Sequence, residues 1–362
     1  MRILSLFDGI SCGQLALKRA NIPVEKYYAC ELDKYAIKIT QKNHPNTIQL
    51  GDINNWQSWD IDFKNIDLIF AGFPCQAWSM SGKQKGDNDP RGVLVHVLID
   101  LWTHIKKINP KVKFLFENVK MKKDFLNYIN NLFDTKPVLI NSALVSAQNR
   151  QRYYWTNINN SNISQPLNKC IYLKDILEHD VTDRDKSYCI DANYFKGGNL
   201  EQYFKKSRRQ LIFEKSEKIC NIGKGGQGQR VYDTNGKSVT INANGGGQGA
   251  KTGLYCVAQR GRHIIAGKRK DIKGAKTEQR FEARFDEKTN CLTTVQKDNY
   301  ILEIDGCEYV VRKLTPIECE RLQTLPDNYT AGVSNTQRYK MLGNGWTVDV
   351  IAHILSKWDL NK

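Results

Sequence analysis

The sequence predicts an α/β fold: an open sheet domain with a site at its strand ends, and a second, smaller domain of short strands and loops. Three observations carry this. The chain begins strand, glycine turn, helix, as Ile3-Leu4-Ser5-Leu6-Phe7 runs into Asp8-Gly9-Ile10-Ser11-Cys12-Gly13 and then Leu15, Ala16, Leu17 and Ala20 at helical spacing. Short apolar runs recur and several end in an acid: Tyr27 to Glu31, Ile48 to Asp52 and Val112 to Glu117. From about residue 157 to 311 the texture changes, with Gly, Asn, Gln, Lys and Arg dominant and long helical patterns gone.

The whole chain narrows the function. Its 362 residues suggest about two domains. A formal net charge of +16 favours a polyanionic partner, most simply nucleic acid, over an acidic small molecule. Ten Cys are scattered without a single Cys-x-x-Cys pair, which argues against a zinc ribbon or a disulfide framework and for a reducing, cytoplasmic setting. The first apolar run is too short for a signal peptide, and no segment reaches the length of a membrane span.

Taken in order, Ile3 to Phe7 is a buried first strand. The turn after it lacks a full Gly-x-Gly-x-x-Gly, so a pyrophosphate cofactor is poorly supported. A cofactor with a carboxylate and no phosphate needs only close backbone approach and a helix N-terminus. Glu31 ends the next strand, where a carboxylate can accept both ribose hydroxyls, and Asp52 is a second acid at the end of the third. Either acid alone is equally a solvated strand-end residue.

Asp67-Leu68-Ile69-Phe70-Ala71-Gly72-Phe73-Pro74-Cys75-Gln76 is the stretch on which the chemistry turns. Pro74 has a fixed φ and no N–H, so the strand should stop there and leave Cys75 on a loop at its carboxyl end. A thiolate in that place is a strong nucleophile; a lone Cys is otherwise a small core residue. The polar, glycine-containing segment Ser79 to Gly92 reads as a lid or as an ordinary surface loop. Val93 to Lys107 reads as an amphipathic helix with Leu94, Val97, Leu98, Leu101 and Ile105 on one stripe. Leu139 to Val145 and Tyr153 to Thr156 read as further strands. In Gln148-Asn149-Arg150-Gln151-Arg152 between them, the two arginines alternate and so share a face.

The middle region carries glycine clusters at 197–198, 223–228 and 245–249. Lys186 to Asn193 is echoed by Lys237 to Asn244 and faintly by Lys288 to Val295, which suggests a repeated strand-and-loop unit. Basic clusters at Lys205-Lys206, Arg208-Arg209 and Lys268-Arg269-Lys270 are either solvated faces or phosphate grips. The chain closes with Thr315-Pro316, a helix start, then Gly343-Asn344-Gly345-Trp346 and a last helix with Val348, Ile351, Ile354, Leu355 and Trp358 on one face.

Gly-Phe-Pro-Cys-Gln at 72–76 resembles the catalytic loop of the DNA cytosine-5 methyltransferases. Glu117-Asn118-Val119, Gln148 to Arg152, Arg312-Lys313-Leu314-Thr315-Pro316 with Arg321-Leu322-Gln323, and Gly343-Asn344 follow in that family's order. The likeness covers roughly the first 157 residues and the last 52. It implies a Rossmann-like S-adenosylmethionine-dependent methyltransferase domain made of residues 1–156 and 312–362, around an inserted target-recognition domain at 157–311. It implies catalytic roles for Cys75 as nucleophile, Glu117 as acid at the base, Arg152 on the base carbonyl and Arg150 on a phosphate or the loop. For the cofactor it implies Phe7, Asp8, Gly9, Glu31, Asp52, Ile53, Pro74, Leu94, Asn344 and Trp346. Two departures stand out: Ser11 and Cys12 where the family has glycines, and Gly345-Trp346 where it has Ser after Gly-Asn. No metal is implied. The partner implied is double-stranded DNA, methylated by a monomer without a membrane, in a bacterial cell or virus-infected host, and a cognate restriction endonuclease need not touch it. Thr240-Ile241 and Thr294-Val295 are candidates for reading the target. The closest rival keeps the chemistry and changes the substrate, a tRNA cytosine-5 methyltransferase on the same fold; rivals from other classes are a non-catalytic DNA binder and a nicotinamide oxidoreductase.

Overall fold

The computed structural model describes residues 1–74, 94–178, 182–197, 200–215 and 307–359, with short strands between 218 and 304. The chain divides into two compact units, one of Met1–Glu178, Arg184–Gln210 and Lys313–Lys362, the other of His179–Asp183 and Leu211–Arg312.

The first unit is a sheet between helices. In chain order it has β1 (Arg2–Leu6), α1 (Cys12–Arg19), β2 (Lys26–Cys30), α2 (Lys34–Asn43), β3 (Ile48–Gln49), β4 (Leu68–Gly72), α3 (Leu94–Ile108), β5 (Lys113–Val119), α4 (Lys123–Phe133), β6 (Val138–Asn141) and β7 (Gln151–Thr156). The strand order is β3-β2-β1-β4-β5-β7-β6. The first five strands run parallel, while β7 is antiparallel to both neighbours. Order reverses between β1 and β4, the point at which open α/β sheets bind ligands beyond their carboxyl ends. Register places Leu6 opposite both Cys30 and Ala71, Gly72 opposite Glu117, and Val119 opposite Arg152. Segments far apart in sequence therefore emerge side by side at one edge.

Burial explains why these runs are strands. Leu68, Ile69, Phe70, Ala71, Leu115 and Phe116 are fully buried, as parallel strands covered on both faces require. On one face α3 buries Val95, Leu98, Leu101, Trp102 and Ile105 against Phe114, Phe116, Phe133 and Trp155. The expected stripe is thus rotated: Leu94 and Val97 are half-buried, and Trp102 takes the central place. The expected strand from Leu139 to Val145 ends at Asn141. Its side chain accepts from the Ala143 and Arg150 N–H groups and turns the chain into a short 3-10 helix.

After β7 the chain stays in the first unit beyond the composition change at 157. Here α5 (Leu173–Ile176) and α6 (Leu200–Lys206) contribute buried Leu173, Ile176 and Tyr203. Tyr194 is buried as well, and its hydroxyl receives the Leu314 N–H at 2.9 Å. The first copy of the sequence echo, Lys186 to Asn193, is loop with a single bridge at Ser187; the other two lie outside the described residues. In the second unit, β9 and β10, β11 and β14, and β12 and β13 pair as antiparallel ribbons, and β15, β16 and β8 form a three-stranded sheet. These strands are β8 (Leu211–Lys215), β9 (Lys218–Asn221), β10 (Arg230–Tyr232), β11 (Val257–Arg262), β12 (Ile264–Ile265), β13 (Lys268–Arg269), β14 (Glu278–Ala283), β15 (Ile301–Ile304) and β16 (Cys307–Lys313). Thr240, Ile241, Thr294 and Val295 lie outside the described residues.

The chain then re-enters the first unit through α7 (Pro316–Leu322), α8 (Asn335–Asn344) and α9 (Val348–Leu355). Thr315 and Glu318 form a reciprocal capping box with Pro316 at the first helical position. Helix α9 packs on α1, with Arg19 bound to Asp349. At Gly343 any Cβ would stand 2.2 Å from the Asp191 carbonyl carbon, so only glycine lets the two segments cross.

Candidate active site

The turn after β1 is built from strained backbone. Phe7 (φ 56), Gly9 (φ 61) and Ser11 (φ 55) are all left-handed, a conformation that costs a non-glycine residue about 1–3 kcal/mol. Asp8 offsets this. Its carboxylate turns inward and accepts from the Tyr27 hydroxyl at 2.8 Å and from the Ser11 hydroxyl. Tyr27 and Ser11 are buried, and burial pushes the Asp8 carboxyl up to about 6 against the pull of Ser11, Ser5 and Tyr27. Sequence reading assigned Asp8 to the cofactor but missed this inward cluster, because Ser5, Ser11 and Tyr27 belong to no shared motif.

Glu31 ties the turn to the end of β2. One carboxylate oxygen accepts from Gly9 N–H at 2.8 Å; the other accepts from Leu32 and Asp33 N–H, both at 2.7 Å. Asp52 caps the short helix after β3 by accepting from Asn54 N–H at 3.0 Å, and Ile53 beside it is buried. Gly9 and Gly51 (φ 77) have nothing within 4 Å of where a Cβ would stand. Open space thus lies over both strand ends, flanked by two carboxylates. That fits a ligand carrying hydroxyls and an amine, as S-adenosylmethionine does.

At the reversal point, β4 ends in Gly72-Phe73-Pro74, with Phe73 buried on Phe133 and Trp155. Cys75 and the residues to 93, which include the expected lid from Ser79 to Gly92, lie outside the described residues. Leu94 opens α3 and packs on the core beneath. Next to β4, Glu117 sits 8% exposed at the end of β5. Arg152 Nε approaches its Oε1 at 2.9 Å, and the Trp346 indole N–H donates to its Oε2 at 3.1 Å. Both carboxylate oxygens are therefore held by donors from distant parts of the chain.

Arg150 has partners within its own chain that the sequence does not show. It is 3% exposed, and its guanidinium donates to the carbonyls of Ile190 (3.2 Å), Gly343 (3.1 Å) and Gly345 (2.9 Å). Among the described residues its oxygen partners are carbonyls of its own chain. It pins the Gly343–Gly345 turn that carries Trp346. Asn344 is exposed at the end of α8, and Trp346 is half-buried, edge-to-face on Phe70 with ring centres 5.6 Å apart. Cys189 was not anticipated. Its sulfur lies 3.5 Å from an Arg150 nitrogen and 3.9 Å from one of Arg152. Among the described residues no group of three or more His, Cys, Asp or Glu side chains is placed to hold a metal. No helix among them is long and apolar enough to cross a membrane.

The mostly parallel sheet, with acids after β2 and β3 and a carboxylate–guanidinium pair between β5 and β7, has the Rossmann-like methyltransferase fold. Residues 1–359 match the model of the C-5 cytosine-specific DNA methylase family, and the chain belongs to that family. It is 29% identical to the type II methyltransferase M.HhaI of Haemophilus parahaemolyticus, over 98% of this chain and 93% of that protein. It is 26% identical to the orphan methyltransferase M.SPRI of Bacillus phage SPR, over 99% and 97%. Among solved structures it resembles the Entamoeba histolytica methyltransferase EhMeth, with a TM-score of 0.55, 16% identity and coverage of 99% and 97%. A Spodoptera frugiperda DNMT2 variant gives a TM-score of 0.52 at 18% identity, with 98% of each chain covered. The activity class is cytosine-5 methylation of DNA, and the family's methyl donor is S-adenosylmethionine.

Proposed function

We propose that this enzyme methylates cytosine within a short specific sequence of duplex DNA by covalent catalysis on a flipped-out base. The observation that carries the reading is the Glu117–Arg152 pair at the end of β5, one strand from the β4 end that leads into Cys75. C5 of cytosine belongs to an electron-poor ring and is barely nucleophilic. The Cys75 thiolate adds to C6, forming an S–C6 bond and pushing ring electrons toward N3 and C5. Glu117, which carries or shares a proton in the complex, passes it to N3 and relieves the negative charge. Arg152 holds the carboxylate and the base carbonyl.

When bound, S-adenosylmethionine supplies an electrophilic methyl on a sulfonium. Once C5 carries the methyl, its proton passes to a solvent base, the N3 proton returns to Glu117, and the S–C6 bond breaks to release the Cys75 thiolate, which restores the ring. Splitting one hard step into easier ones is what nucleophilic catalysis achieves. None of these groups reaches a stacked base, so the cytosine must leave the helix. In this reading Gly9, Glu31 and Asp52 hold the cofactor, Pro74 and Leu94 border it, and residues 157–311 contain the target reader.

Bisulfite sequencing of DNA from cells expressing the chain identifies the target. An oligonucleotide carrying 5-fluorocytosine at that site should then trap the enzyme covalently, and Cys75→Ser should abolish trapping while sparing cofactor binding. Trapping by the Cys75→Ser variant, or none by the native enzyme, would refute the mechanism.

A further inference from the structure

We propose that Trp346 is a positioning residue that holds the Glu117 carboxylate through its indole N–H and ties it to the cofactor turn. The proposal rests on the reading of Glu117 as the acid at the base. Three observations meet at this side chain. Its indole nitrogen donates to Glu117 Oε2 at 3.1 Å. Its ring stands edge-on to Phe70, and a Cβ on Gly72 would lie 2.9 Å from the same nitrogen, so β4 leaves room for the indole only because residue 72 is glycine. Its backbone N–H points at the Cys12 thiol in the turn after β1.

The consequence is mechanical. Arg152 clamps one oxygen of the carboxylate and Trp346 the other, which fixes the carboxyl plane. Each oxygen retains one further position, one for the proton that N3 takes and one to accept from the base amino group. A neutral N–H bonded to a charged group is among the stronger hydrogen bonds, so its loss should slow the step that needs Glu117 in place about ten-fold or more. Gly72 and Trp346 form a matched pair across the site: the first residue is small because the second is large.

The test follows adduct formation on the 5-fluorocytosine oligonucleotide with cofactor present, alongside kcat and the KM for each substrate. Trp346→Phe keeps a ring on Phe70 but removes the donor. It should lower the adduct rate and kcat about ten-fold or more with melting temperature and cofactor KM little changed. Gly72→Ala, which displaces the indole from the other side, should do the same. In a Glu117→Ala background Trp346→Phe should have almost no further effect, because the acceptor is gone. An equal slowing in both backgrounds, or a rise in cofactor KM with kcat intact, would overturn the proposal while leaving the Glu117 reading standing. A Glu117→Ala variant that forms adduct at the native rate would instead sink the Glu117 reading itself.

Discussion

Arg152 Nε stands 2.9 Å from Glu117 Oε1, a contact that joins β7 to β5 where the two antiparallel strands leave the sheet. Both side chains are nearly buried, at 13% and 10% exposure. A pair so placed is held firmly, and removing either partner leaves the other charge poorly compensated. Glu117→Gln keeps the shape and loses the proton. It should cut methyl transfer by about two orders of magnitude or more, the share general-acid help commonly supplies. Steady-state kinetics with duplex DNA checks this, and a rate within a factor of three of the native enzyme would remove Glu117 from the chemistry.

Asp8 should make stability depend on pH in an unusual direction. Burial raises its carboxyl from the ordinary 3.8 to about 6, so the folded protein holds this proton more tightly than the unfolded chain. Between about pH 4 and pH 6 the folded state alone binds the proton, and stability from this group falls as pH rises. Above about pH 7 the full penalty of the ionised group is present, about 3 kcal/mol. Asp8→Asn removes it. Urea unfolding of both proteins at pH 4.5 and 7.5 should show the variant gaining relative to the native protein as pH rises. A constant difference across that range contradicts the assignment.

Glu320 is fully buried in α7, where it accepts from the Asn328 and Thr330 N–H groups and pairs with Arg338 at 2.8 Å. Arg338→Ala would leave that carboxylate without its cation and should cost about 3 kcal/mol, the low end for a broken buried pair because the backbone donors remain. Chemical denaturation measures it. A loss below about 1 kcal/mol would mean that the N–H groups alone suffice.

Particular residues show how far the sequence reaches. The strands around Leu4, Ile69 and Leu115 are legible because burial on both faces demands unbroken apolar runs. Thr315 and Pro316 announce a helix start because capping is local chemistry. The stripe on α3 is legible only to within a rotation, since periodicity names a face and packing against Phe114 selects which residues centre it. Arg150 shows where legibility ends. Its alternation with Arg152 is visible, but its acceptors, the carbonyls of Ile190, Gly343 and Gly345, lie far along the chain.

The sequence by itself determined the elements, the family and the chemical types at the site: an apolar strand ended by Pro74, acids at successive strand ends, and a thiol, a carboxyl and two guanidinium groups in a set order. These are local properties of the chain, written in spacing and side-chain chemistry. Only the tertiary structure decided partners: Glu117 with Arg152 and Trp346, Asp8 with Tyr27 and Ser11, Arg150 with its own backbone. Each such contact joins segments whose proximity follows from sheet register and helix packing, and no single stretch of chain encodes that.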